Sequence, residues 1–162
     1  SALRIHDLRG NVDTRLGRLL GGDFDALVLA IAGLQRLGLA PSREAGWQWS
    51  HLDIREMTPA VGQGALGLEC RADRNDVLLA LAPLNDSASY EEVLIERRLL
   101  GRLGGGCQVP FAAHVAGGVC HLMLADPVKG RVVCRLQGPA SEADDLFSRM
   151  QGLHGPLIAS LT

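Results

Sequence analysis

The sequence predicts an α/β chain that opens on part of a strand–helix–strand domain and closes on a small α+β domain. Three observations predict it. Short apolar runs alternate with helix-period stretches at the start, a glycine-rich crossing interrupts the pattern near residue 62, and three strand-length segments separated by glycine turns lie between two helical stretches at the end.

Leu3-Arg4-Ile5-His6-Asp7-Leu8 alternates apolar and polar, which predicts a strand, and Arg9-Gly10-Asn11 turns the chain. Val12, Leu16, Leu19 and Leu20 form one apolar stripe at helical spacing, with Asn11 placed to cap the start and Gly21-Gly22 to stop it. The continuous apolar run 26–31 predicts a strand buried on both faces, and a short helix is expected over 32–37. Residues 41–58 show no firm period and are read as a loop with one short helix. The crossing Pro59-Ala60-Val61-Gly62-Gln63-Gly64 is followed by a predicted strand over 65–70 and a helix over 75–84. Ser89 and Glu92 match a capping box, so a long helix is expected from Tyr90 to Leu103, with an apolar face at Val93, Leu100 and Leu103 that also carries Arg97. Strands are expected over 111–116, 119–125 and 131–136, joined by a Gly117-Gly118 hairpin and a longer turn from Asp126 to Gly130. The last helix begins at Ser141, with Ala143, Leu146, Phe147 and Met150 at helical spacing. This closing part is a three-stranded antiparallel sheet with helices on one face. Two parallel strands are too few to bury a sheet on both faces, so the first domain is expected to be incomplete.

Composition narrows the function. With 16 basic and 18 acidic side chains the formal net charge is −2, and only 4% of residues are aromatic, which argues against nucleic acid as a partner. No apolar run reaches membrane-spanning length and no signal pattern opens the chain, so a cytoplasmic protein without a membrane partner is expected. Cys70, Cys107, Cys120 and Cys134 form no C-x-x-C pair, and His6, His51, His114, His121 and His154 form no metal-binding pattern, so reduced thiols and no metal are expected.

Two constellations carry chemistry. Gly104-Gly105-Gly106-Cys107-Gln108-Val109-Pro110 clears side-chain bulk from around a thiol, and Arg97 and Arg102 on the preceding helix are candidate cations for a thiolate. On residue types alone, a cysteine filling a tight turn is the more economical reading. Arg9 and Arg15 flank a helix N-terminus in a way that suits a small carboxylate, while pairing with Asp7 and Asp13, or plain solvation, is an equal alternative. Arg36 lies on a helix that follows the carboxyl end of a strand, where open α/β sheets bind ligands, or serves as a surface cation at the helix end.

Four ordered blocks give these residues a common setting: Leu8 to Leu16 with Arg9-Gly10-Asn11-Val12, Asp25 to Gly38 with Arg36-Leu37-Gly38, Pro59 to Arg71, and Gly105-Gly106-Cys107-Gln108-Val109-Pro110. Together they resemble the C-terminal portion of the porphobilinogen deaminase (hydroxymethylbilane synthase) family. The resemblance covers residues 3 to about 117 well. It implies a transferase of tetrapyrrole (heme) biosynthesis that joins four porphobilinogen molecules head to tail, releasing ammonia at each step. It also implies a dipyrromethane cofactor held covalently through Cys107, with Arg9, Arg15, Arg36 and Gln63 on the cofactor side and Arg9, Arg15 and Arg36 binding the carboxylates of the growing polycarboxylate pyrrole chain.

The fold that follows from the resemblance is a remnant of a periplasmic-binding-protein-like α/β domain over 1–58, a hinge crossing with the returning strand and helix of an N-terminal domain over 59–85, and the cysteine-bearing α+β domain over 86–162. The family's catalytic aspartate falls in the part of the N-terminal domain that has no counterpart here, so no catalytic residue is assigned and the chain alone is expected to be inactive, with its cofactor absent. The intact family member is expected to be a monomer, whereas an uncovered sheet edge in this piece favours self-association. Two other classes remain open at this point: a non-catalytic small-anion binding module, and a thiol enzyme using Cys107 as nucleophile.

Overall fold

The structure, a computed structural model, describes residues 3–39, 47–104 and 109–161. The chain divides into two compact units, Ser1–His51 and Leu52–Thr162. Helices and a three-stranded antiparallel sheet place it in the α/β class.

In the first unit, helix α1 spans Val12–Leu20 and helix α2 spans Ile31–Arg36. Asn11 occupies the cap position, but its side chain makes no capping bond. Leu16 and Leu34 are the buried residues of the two helices, and α2 comes close to α1 at Gly33, where a Cβ would lie 3.7 Å from Val12 Cγ2. The strands expected over 3–8 and 26–31 do not form, and neither does the one over 65–70 in the second unit. The alternation of apolar side chains reports which face a strand would bury. It does not supply the neighbour that must take the N–H and C=O groups. Among the described residues no segment pairs with these three, and several of their apolar side chains stay in solvent, Leu3 and Ile5 at 91% exposure and Leu66 at 77%, while Leu27 and Leu29 are half-buried.

The second unit holds the core. Helix α3 (Asn75–Leu81) ends in a 3-10 turn at Ala82–Leu84, as the pattern over 75–84 predicts. Helix α4 runs Ser87–Leu103, and its cap is Asp86, whose side chain accepts from the Ser89 N–H at 2.8 Å. The expected Ser89–Glu92 capping box is therefore displaced by one turn, because an aspartate three residues ahead offers a charged acceptor to the same amide. Glu92 accepts instead from the Gly117 N–H at 2.9 Å. The helix ends at Gly104 with φ 76°. Its buried stripe is Glu96, Leu99 and Leu103, so the expected face through Val93 and Leu100 is only partly buried and Arg97 points to solvent.

Strands β1 (Phe111–Ala116), β2 (Val119–Asp126) and β3 (Arg131–Pro139) form the antiparallel order β1-β2-β3. The Gly117-Gly118 turn closes the first hairpin with φ 56° and 79°, both left-handed, which suits the right-handed twist of the strands and excludes most other residues. Asp126 Oδ1 accepts from the Val128 and Lys129 N–H groups to form the second turn. A 3-10 turn over Ala140–Glu142 leads into helix α5, Ala143–Ala159, which kinks at His154 ahead of Pro156. The inner sheet face, Ala113, Val115, Cys120, Leu122, Leu124 and Cys134, packs with Leu99 and Leu103 of α4 and with Leu146, Phe147 and Met150 of α5. His114, His121, Met123, Arg135 and Gln137 alternate with these residues and register against one another across the strands.

Candidate functional site

The first unit carries three of the residues singled out from sequence. Gly10 has φ 115°, and a Cβ there would lie 3.3 Å from Thr14 Cγ2, so the turn before α1 is built for glycine. Arg15 reaches back over this turn, its Nε donating to the Gly10 carbonyl at 2.8 Å. That bond leaves the terminal nitrogens of the guanidinium without a partner among the described residues. The side chains of Arg9 and Arg36 are exposed and likewise make no hydrogen bond or ion pair among the described residues, so the alternative of pairing with Asp7 and Asp13 is not realised. Arg18 shows the contrast. It pairs with Asp23 at 2.8 Å and lies 4.8 Å over the Phe24 ring, and so is committed to local structure. Arg15 and Arg36 each lie one turn beyond the Val12–Gly33 approach on their own helices.

Gln63 lies in the second unit on a turn with Gly62 at φ 68° and Gly64 at φ 88°. Its Oε1 accepts from the Ala60 N–H at 2.9 Å, and its own N–H donates to the Ala60 carbonyl at 2.9 Å. The side chain is exposed, and its amide nitrogen has no partner among the described residues. Cys107 and its glycines, residues 105–108, lie outside the described residues. Of the two cations proposed to stand near that thiol, Arg102 is committed elsewhere: it donates to Asp144 and Ser148 of α5 and covers Phe147. Cys120 is buried and its thiol is pushed up to about 11, first by burial and then by the Glu96 charge, and burial also raises Cys134. Both are core residues without nucleophilic character at neutral pH.

A third cluster lies on the outer face of the sheet. Arg135 donates to the carbonyls of Arg55 and Glu56, both at 2.9 Å, and ties the 52–58 segment to β3. With Arg55 and His121 it lines a cavity of about 130 Å³, below the roughly 300 Å³ usual for a small-molecule site. Arg55 is neutralised by Asp53 at 2.9 Å, a pairing that lowers the aspartate's pKa to about 2. This cluster is a structural clasp. Groups of three or more metal-ligating side chains are absent among the described residues, and no helix there is long and apolar enough to cross a membrane.

One buried charge was not legible in the sequence. Glu96 is 2% exposed on α4, and its carboxylate is ringed by donors from the Pro59–Gly64 turn and from β1. The signal was a charged residue at i−3 and i−7 from Leu99 and Leu103, on the stripe the helix buries.

Fold and side chains thus define an α/β chain whose first unit presents arginines without carboxylate partners. The model of the porphobilinogen deaminase dipyromethane cofactor binding domain matches residues 1–79, and that of the porphobilinogen deaminase C-terminal domain matches residues 90–119. The porphobilinogen deaminase of Roseiflexus sp. (strain RS-1) is 47% identical over 146 residues, covering 86% of this chain and 46% of that protein. Those of Burkholderia mallei (strain SAVP1) and Burkholderia pseudomallei (strain 668) are each 51% identical over 122 residues, covering 74% of this chain and 36% of those proteins. The chain belongs to the porphobilinogen deaminase family. It spans less than half the length of these relatives.

Proposed function

We propose that this chain is part of a hydroxymethylbilane synthase, the transferase that condenses four porphobilinogen molecules head to tail with release of ammonia at each step. The observation that carries the reading is the set of arginines Arg9, Arg15 and Arg36, which have no carboxylate partner among the described residues, in a family whose name includes a dipyromethane cofactor binding domain. Each pyrrole of substrate and cofactor bears acetate and propionate groups. Guanidinium groups that are not already neutralised suit such a ligand, because a planar fork binds a carboxylate through two parallel hydrogen bonds.

In this reading Cys107 is the covalent tether of the dipyrromethane, and Gln63 offers its free amide nitrogen to the cofactor side. When bound, the dipyrromethane supplies the pyrrole carbon to which the first substrate is joined. Arg9, Arg15 and Arg36 bind and orient the carboxylates of the chain as it lengthens. Their contribution is positional and electrostatic, since holding two reactants aligned removes much of the entropic barrier. The catalytic carboxylate is assigned to a part of the protein outside this sequence, and the chain by itself is inactive.

The architecture that accompanies this function is a remnant of a periplasmic-binding-protein-like domain over 1–58, a hinge crossing over 59–85 and the cysteine-bearing domain over 86–162. The apolar segments 3–8, 26–31 and 65–70 support it, because each has strand composition and no strand partner among the described residues. Intact-mass spectrometry of the full-length protein tests the tether. A dipyrromethane adduct on the wild type that is lost in Cys107→Ser is the expected result, and an adduct retained by the variant rejects the assignment.

A further inference from the structure

We propose that Glu96 is a positioning residue that sets the Gln63 turn against the helix leading into Cys107. The role rests on the reading of Gln63 and Cys107 as cofactor-side residues. Glu96 is 2% exposed in the middle of α4, where a bare carboxylate would be costly. Its oxygens are filled by donors from two other segments. Oε2 accepts the Gly62 N–H at 2.6 Å across 34 residues, and Oε1 accepts the Val115 N–H at 2.8 Å across 19 residues. His114 Nδ1 lies 3.2 Å from the same Oε1.

One side chain therefore joins α4, strand β1 and the Pro59–Gly64 turn. A core contact alone would be served by leucine, as at Leu99 and Leu103 on the same stripe, but leucine would strand both amides. Val61 packs against the core, and the position of a Cβ on Gly62 would be 3.9 Å from Val93 Cγ1, so the turn is seated directly on α4. Gln63 follows Gly62 immediately, and its Oε1 is bound inside the turn by the Ala60 N–H. The position of its free amide nitrogen is thus set by where Gly62 is held. From Glu96 the helix continues two turns to Leu103 and ends at Gly104, which precedes Cys107 by three positions in the sequence.

The test is a double-variant cycle in the full-length protein with Glu96→Gln and Gln63→Ala. Glutamine keeps the size of the side chain but has one acceptor oxygen, so it can satisfy Gly62 or Val115 and not both. Three quantities are read: adduct occupancy by intact mass, kcat and KM per adduct-bearing molecule, and amide exchange at Gly62 and Val115. E96Q is expected to keep its adduct, exchange faster at Gly62, and lose roughly 10- to 100-fold in kcat/KM per adduct-bearing molecule. In the Q63A background it should cost nothing more. Wild-type rates per adduct-bearing molecule in E96Q, or losses that multiply in the double variant, overturn the role. If E96Q does not fold, Glu96→Asp, whose shorter arm cannot span both donors, carries the same comparison. A wild-type protein without adduct overturns the cofactor reading and this role with it, whereas an adduct-bearing wild type with a multiplicative cycle overturns this role alone.

Discussion

Arg102 of α4 donates to Asp144 Oδ1 of α5 at 2.8 Å, and the same guanidinium lies 4.8 Å over the ring of the buried Phe147. Arg98 adds a second contact to Asp144 at 3.0 Å. The two long helices of the second unit are thereby joined by a partly exposed ion pair backed by a cation–π contact. Replacing Arg102 by Ala should cost about 1–2 kcal/mol, from an exposed pair worth under about 1 kcal/mol and a ring contact of about the same size. Arg102→Lys should recover only part of this, because an ammonium cannot make the fork to Asp144 and Ser148 while covering the ring. Urea midpoints of the three proteins check the order; equal midpoints for Lys and Arg would contradict it.

Gly138 of β3 faces Leu146 of α5 so closely that an added Cβ would lie 3.2 Å from Leu146 Cδ1 and 3.3 Å from Cδ2. Gly138→Val should therefore destabilise the second unit by roughly 1–3 kcal/mol through overpacking. The Leu146→Ala background should relieve part of the cost, since the two side chains compete for one space. Thermal melts of the four proteins read the coupling, and strict additivity would refute the contact.

His121 has its pKa lowered, first by burial, then by the nearby His114 and Arg55 charges, against a smaller opposing pull from Asp53. Below its ordinary value of 6.5 the unfolded chain takes up a proton that the folded chain resists. The stability tied to this residue is complete above that value and is lost as pH falls from it toward the folded-state pKa. His121→Gln should flatten the difference in urea midpoint between pH 7.5 and pH 5.5 (~2 pH units, bracketing the histidine range). An unchanged slope would count against the assignment.

Removing the free arginines should act on binding. If the proposed function holds, Arg9→Ala, Arg15→Ala or Arg36→Ala in the full-length protein should each raise KM for porphobilinogen by about 10- to 100-fold, the value of one charged hydrogen bond of about 1.5–3 kcal/mol. Arg18→Ala, which breaks only the Asp23 pair and the Phe24 contact, should leave KM near wild type. Equal effects of all four would show that the unpaired arginines have no special role.

Much of the second unit was legible in the sequence because its hydrogen-bonding partners are local or adjacent. The Gly117-Gly118 hairpin and the Asp126–Gly130 turn each announce a contact made within a few residues, and the stripe of α5 announces a buried face by its period alone. The strands over 3–8, 26–31 and 65–70 were misread for the complementary reason: composition names a surface suited to a sheet, and the ladder depends on a neighbour. In α4 a three-residue shift of the cap from Ser89 to Asp86 came from competition between two acceptors for one amide.

By itself the sequence determined the helices, the hairpin-linked strands, the glycine turns and the ordered blocks that mark the family, because each is written in residue types at short spacing. The tertiary structure decided which charges are spent and which are free. Arg18, Arg55 and Arg102 are committed to Asp23, Asp53 and Asp144, while Arg9, Arg15 and Arg36 have no such partner among the described residues. It also decided that Glu96 is buried and bound at both oxygens, to amides 34 and 19 residues away. A carboxylate's role follows from the donors that fold around it, and those donors are brought together only when distant segments pack.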